Sequence, residues 1–176
     1  MNTSSKHIFE RSKGFSLVEV MVALIVCSVG LLGLAKMESL ALVSTNVANS
    51  RALAALQASS LAAAMHANRG YWAAGQAPAT TIVDATAAHN FSTATNCLAA
   101  GSCDASHMAA FDLKEWGAAL ALLLPGYFGT INCSVGGLPV TCTIQIQWVE
   151  NAVAANAQQT AISGLQAPTY VLYVEP

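Results

Sequence analysis

The large apolar residues gather at one end of the chain. Residues 1–14 (MNTSSKHIFERSKG) are polar, and from Phe15 to Ala35 the chain reads FSLVEVMVALIVCSVGLLGLA, 21 residues with a single charge, Glu19. At ~1.5 Å rise per residue that run makes a helix of roughly 30 Å, long enough to cross a bilayer core. No proline occurs before Pro78, so nothing obliges the helix to stop at Ala35. Residues 36–69 are rich in Ala, and Leu40, Val43, Val47, Ala54, Ala58, Leu61 and Met65 form one helical stripe. Asn68-Arg69-Gly70 supplies a stop, with Gly70 as a left-handed cap. The prediction is one helix of roughly 50–55 residues, about 80 Å long, whose outer half lays an apolar stripe on a small domain.

Residues 71–104, rich in Ala, Thr, Gly and Asn, show no sustained period and read as an irregular crossing with room for one short element. Residues 105–124 predict a second helix. Ala109, Leu113, Trp116, Leu120 and Leu124 share one face, Asp104 or Ser106 caps the start, and Pro125-Gly126 ends it. Strands follow near Tyr127–Ser134, Thr141–Val149 and Thr169–Glu175. In the second of these, Cys142, Ile144, Ile146 and Trp148 alternate with Thr141, Thr143, Gln145 and Gln147, the pattern of a sheet buried on one face and wet on the other. The last, TYVLYVE, is apolar on both faces, which predicts a central strand or one covered by a neighbouring subunit. The fold class is α+β with an antiparallel sheet.

Composition narrows the function. The chain is 55% hydrophobic but only 9% charged, against about 25% charged in ordinary soluble domains. Disorder is excluded by the high hydropathy and low net charge. Seven Lys+Arg against nine Asp+Glu, a formal net of −2, leave no basic face for phosphates, so no nucleic-acid partner is expected. Lys6, Arg11 and Lys13 lie on the N-terminal side of the apolar run, whereas Lys36 and Glu38 cancel at its other end. That asymmetry leaves the N-terminus in the cytoplasm and the rest of the chain outside. A signal peptide would have a shorter apolar stretch and a cleavage loop. A plain signal anchor would gain nothing from Glu19, since a mid-membrane carboxylate costs about 2.5–3.5 kcal/mol on insertion scales.

Gly14-Phe15-Ser16-Leu17-Val18-Glu19 resembles the processing signature of type IV prepilins and pseudopilins. It has a basic leader ending in Gly, then Phe, an acid four residues on, and an unbroken apolar helix. The resemblance implies a type IV pilin fold, cleavage between Gly14 and Phe15 by a membrane-embedded prepilin peptidase, and N-methylation of Phe15. Glycine before the cut lets an active site approach the backbone closely. Cleavage frees an α-amine on Phe15, and Glu19, four residues on, can meet that cation in its own chain or a neighbour's. Such a pair selects register between packed subunits more than it adds stability. Glu19 is therefore the candidate assembly residue.

Of five cysteines, Cys27 lies in the apolar helix and reads as a small apolar residue. Cys97, Cys103, Cys133 and Cys142 lie in the exported part, where disulfides persist. Four cysteines allow three pairings. Sequential pairing has geometric support: if Cys133 opposes Cys142 across a hairpin, Ile131 faces Ile144, Gly129 faces Ile146 and Tyr127 faces Trp148, all on one face. The spacings C-x5-C and C-x8-C miss the usual zinc pattern, and His89 and His107 complete no metal motif. Asp112 and Glu115, three apart, read as a solvated helix face. No metal, no cofactor and no catalytic residue is expected.

Further along, Met65-His66-Ala67-Asn68-Arg69 resembles the PilV group of minor pilins. So do the C-x5-C pair leading into Ala110-Phe111-Asp112-Leu113-Lys114-Glu115-Trp116, the Leu124-Pro125-Gly126 end of that helix, and the strand Ile144-Gln145-Ile146-Gln147-Trp148. The resemblance implies a minor pilin that joins or primes a tip complex with other minor pilins, the major pilin and a large tip adhesin. Inner-membrane assembly machinery would build the fibre, with twitching motility and adhesion as consequences. The implied organisation is a leader, 1–14; a transmembrane and filament-core helix, 15–35; its amphipathic continuation, 36–69; and a disulfide-stapled α+β head, 70–176. It implies a single-pass inner-membrane protein that later joins the surface pilus. Rival readings are a minor pseudopilin of type II secretion, a signal-anchored periplasmic enzyme or binding domain, and a head that itself binds calcium or a host ligand.

Overall fold

In a computed structural model, which describes residues 14–84, 88–89, 96–99, 103–134, 136–150 and 167–176, the apolar run and the Ala-rich stretch after it form one helix, α1 (Leu17–Ala67). The chain clusters into two units, residues 1–41 and 42–176. Within the second, the stripe turns inward over its last three turns. Ala54, Ala58, Leu61 and Met65 are buried, Val43 and Val47 half-buried. Leu40, in the first unit, is 37% exposed.

The long helix ends at Ala67, at the predicted Asn68-Arg69-Gly70 stop, but not with the predicted cap. Asn68 interrupts it, its side-chain Nδ2 donating to the Ala105 carbonyl at 2.7 Å, and a further turn, α2 (Arg69–Trp72), follows. Gly70 is not the left-handed residue. Gly75 is, with φ 69°, and there the Gly75 N–H donates to Trp72 O and the Gln76 N–H to Tyr71 O, both at 3.2 Å. That hydrogen-bond pair is a Schellman closure, which satisfies the last helical carbonyls. The reason for the extra turn is burial: Tyr71 and Trp72 are both buried, their rings edge to face with centroids 5.3 Å apart.

Beyond it lie β1 (Thr80–Val83), β2 (Ala88–His89), α3 (Ala105–Leu123), β3 (Phe128–Cys133), β4 (Cys142–Gln147) and β5 (Thr169–Val174). They form an antiparallel sheet of order β2-β1-β3-β4-β5. The β3–β4 ladder runs Cys133↔Cys142, Ile131↔Ile144 and Gly129↔Ile146, the register expected if Cys133 opposes Cys142 across a hairpin. β1 is a short element inside the stretch expected to be mostly irregular, and it pairs with β3 along its whole length, from Thr80↔Asn132 to Val83↔Gly129. β5 is not central: among the described strands it lies at the edge of the sheet, with Val171 43% and Tyr173 80% exposed.

The core joins α1, α3 and one face of the sheet: Leu61, Met65, Leu113, Trp116, Leu120, Ile131, Ile144, Ile146 and Trp148 are each 5% exposed or less. Arg51 of α1 meets Glu150, just past β4, through Nε–Oε1 at 3.2 Å and Nη2–Oε2 at 3.3 Å.

Asp104 caps α3. Its carboxylate accepts the His107 backbone N–H and the Ser106 hydroxyl, each at 2.8 Å, while His107 Nδ1 lies 2.8 Å from its other oxygen. The backbone bond first, then the two side chains, hold the carboxyl down from 3.8 to about 2. A depressed carboxyl stabilises the fold above its unfolded value, and that contribution is lost as pH falls through the folded one. Asp104→Asn, which keeps the cap without the charge, should therefore narrow its stability gap to wild type as pH drops from 3.8 to about 2. Urea midpoints of the detergent-solubilised protein at stepped pH measure this; a gap constant across the window would refute it.

Candidate functional site

The start of α1 is set by Ser16, whose carbonyl accepts the Glu19 N–H at 3.0 Å and the Val20 N–H at 3.2 Å. Glu19 therefore lies in the first turn, where the free N–H groups of a helix favour an acid. Phe15 lies two residues ahead of the first helical residue and is 82% exposed. Among the described residues the Glu19 carboxylate has no hydrogen-bond or ion-pair partner.

Gly14 is not required by the fold around it. A Cβ there would meet nothing within 4 Å, and its φ is not in the left-handed region.

The same segment leaves its apolar side chains uncovered. Val18, Leu24, Ile25, Val29 and Leu32 are between 63% and 73% exposed, and α1 is long and apolar enough to cross a membrane. Apolar surface on this scale is rare on a soluble monomer and marks contact with lipid or with other helices. Cys27 carries a free, exposed thiol on that surface. Ser28 donates back to the Leu24 and Ile25 carbonyls. Gly30 and Gly33 have open space around them within the chain.

In the second unit Cys97 is bonded to Cys103 and Cys133 to Cys142. Loops of this length are worth roughly 2–3 kcal/mol each when closed. Among the described residues no three His, Cys, Asp or Glu side chains converge as a metal site would require. Asp112 is not fully solvated, as its spacing suggests. It is half-buried beside a cleft of about 230 Å³ between α1 and α3, lined by Gln57, Ser60, Leu61, Trp116 and Ala119, and burial raises its pKa. Glu115, at the same cleft, is exposed. The bidentate Arg51–Glu150 pair carries no sequence signal, because its partners are 99 residues apart.

Residues 10–35 match the family described as Prokaryotic N-terminal methylation motif, the prepilin-type signal of type IV pilins and pseudopilins. The match supports a type IV pilin-like protein, a class of structural subunits and not of enzymes, with membrane anchoring and assembly into a pilus or pseudopilus. Processing by a prepilin peptidase is what that motif implies. No curated protein and no solved structure matches the chain.

Proposed function

We propose that the chain is a minor pilin of a type IV pilus, of the PilV group, cut after Gly14, N-methylated at Phe15 and built into a filament or its tip through Glu19. In this reading residues 1–14 are the leader, 15–35 span the inner membrane and later the filament core, 36–69 continue that helix, and 70–176 are the exported head. The protein waits in the inner membrane with its N-terminus in the cytoplasm and its head outside. Its partners are prepilin peptidase, the assembly machinery, other minor pilins, the major pilin and a tip adhesin; adhesion and twitching follow from the fibre they build.

One observation carries the reading: an apolar helix that its own chain leaves uncovered begins with a glycine the fold does not need and an acid with no partner among the described residues. The PilV assignment rests on the later motifs, from Met65-His66 to the strand ending in Trp148. Cut protein supplies what the acid lacks, an α-amine on Phe15. A carboxylate held in apolar surroundings is tolerated when such a cation satisfies it.

Intact-mass analysis of the protein purified from cells with an active prepilin peptidase tests this. Loss of residues 1–14 with gain of one methyl group is expected; an unprocessed mass overturns it. Deletion then separates pilus from type II secretion, since the minor-pilin reading predicts lost fibres with secretion intact, and the reverse would make the chain a pseudopilin.

A further inference from the structure

The cleft of about 230 Å³ between α1 and α3 lies wholly within the second unit. α1 brings to it two polar side chains, Gln57 and Ser60, and α3 brings two carboxylates, Asp112 and Glu115. Leu61 and Trp116, both buried, belong to its apolar wall. Asp112 and Glu115 are one turn apart on one face of α3, so a single group can lie between them.

Spacing alone reads these acids as a solvated face. Burial separates them. Glu115 is exposed, whereas Asp112 is half-buried, and the loss of water alone raises its pKa. Neither carboxylate has a hydrogen-bond or ion-pair partner among the described residues. No Lys, Arg or His lines the cleft; Lys114 lies between the two acids in sequence but is exposed elsewhere. The chain thus takes water from a carboxylate and supplies no cation in its place. Such a group is costly until a donor reaches it.

Size and chemistry select that donor. Small-molecule pockets usually measure about 300–1,000 Å³, so this space suits one side chain better than a free ligand of that class. The apolar wall fits a methylene stem, and the two carboxylates with Gln57 and Ser60 fit a head group rich in donors. Lys and Arg carry both. A metal ion fits less well, because no third His, Cys, Asp or Glu converges there among the described residues. Charge disfavours a second copy of this chain. Residues 42–176 carry three Lys+Arg against six Asp+Glu, a side-chain net of −3, so two copies repel while a basic partner is attracted.

We propose that this cleft is a docking site for a lysine or arginine side chain of a different subunit in the same assembly. The inference rests on the minor-pilin reading for the word subunit.

The test uses the full-length protein in its own cells. D112N keeps the size of the side chain and removes its charge, and E115Q does the same at the exposed position. E175Q, at an exposed acid that does not line the cleft, controls for net charge. All three should be processed normally. D112N should melt no lower than wild type, because the fold loses a charge that burial disfavours. The expected result is roughly tenfold less D112N in sheared filaments, a smaller loss with E115Q, and E175Q near wild type. Wild-type incorporation of D112N, a loss that parallels lowered melting, or an equal loss with E175Q overturns the proposal.

Carboxyl labelling of the unaltered protein gives an answer independent of any variant. Carbodiimide with glycine ethyl ester, read by mass spectrometry, should modify Asp112 and Glu115 in the solubilised protein and spare both in filaments. Equal labelling in the two states overturns the proposal. A dimer of the solubilised wild type that D112N abolishes would also overturn it, in favour of a second copy. Absence of the wild type from filaments would instead defeat the minor-pilin reading itself.

Discussion

Trp116→Ala should remove about 3–5 kcal/mol of folding stability, read as a lower urea midpoint at an unchanged slope. The indole is 5% exposed and ties three elements together. Its Nε1–H donates to the Gln57 carbonyl on α1 at 2.9 Å. Its ring lies over Gly129 of β3 so closely that a Cβ there would sit 2.9 Å from two ring carbons. Truncation leaves a void between α1, α3 and the sheet that the backbone around Gly129 cannot refill, because glycine brings no side chain to collapse into it. A domain is stable by only about 5–15 kcal/mol, so the loss is a large fraction of the whole. A midpoint within error of wild type would show that the ring does not join these elements.

Glu19→Ala should leave processing and the melting of residues 42–176 unchanged and empty the filaments of this subunit. The carboxylate lies on a surface of exposed Val, Leu and Ile side chains, where a lone acid is costly in lipid, at about 2.5–3.5 kcal/mol near mid-membrane. Its removal makes the helix a better membrane anchor and a worse assembly partner, since the Phe15 amine of the cut protein is then left uncompensated among apolar helices. Glu19→Gln should fail similarly, because it keeps the shape and loses the charge. The measurement is the ratio of filament-bound to membrane-bound protein by immunoblot, alongside thermal melting. Undiminished entry of the Ala variant would sink the assembly role of Glu19.

The N-terminal signature was legible because everything it needs is local: a glycine, an acid five residues later and an unbroken apolar run. The β3–β4 hairpin was legible for a similar reason. Alternation in β4 fixes which residues face inward, and the paired cysteines Cys133 and Cys142 are only nine positions apart. β1 was not. Thr80-Thr81-Ile82-Val83 is four residues in a Thr/Ala-rich stretch, and what makes it a strand is pairing with Asn132 and its neighbours some fifty positions on. The left-handed cap beyond the long helix was misplaced for a different reason. Gly70 and Gly75 are equally plausible stops by type, and the choice fell to the burial of Tyr71 and Trp72 between them. In β5 the pattern does not report which apolar face meets the core: Val174 is buried, whereas Val171 and Tyr173 of the other face are exposed. The half-burial of Asp112 depends on how α3 leans on α1, which spacing along one helix does not report.

The two disulfides close over 6 and 9 positions of sequence. For a chain threaded through a membrane from its front end, each staple can shut as soon as its own short segment emerges, with no wait for distant residues. The oxidising machinery thus never has to choose among remote thiols, and mispaired intermediates have little time to arise.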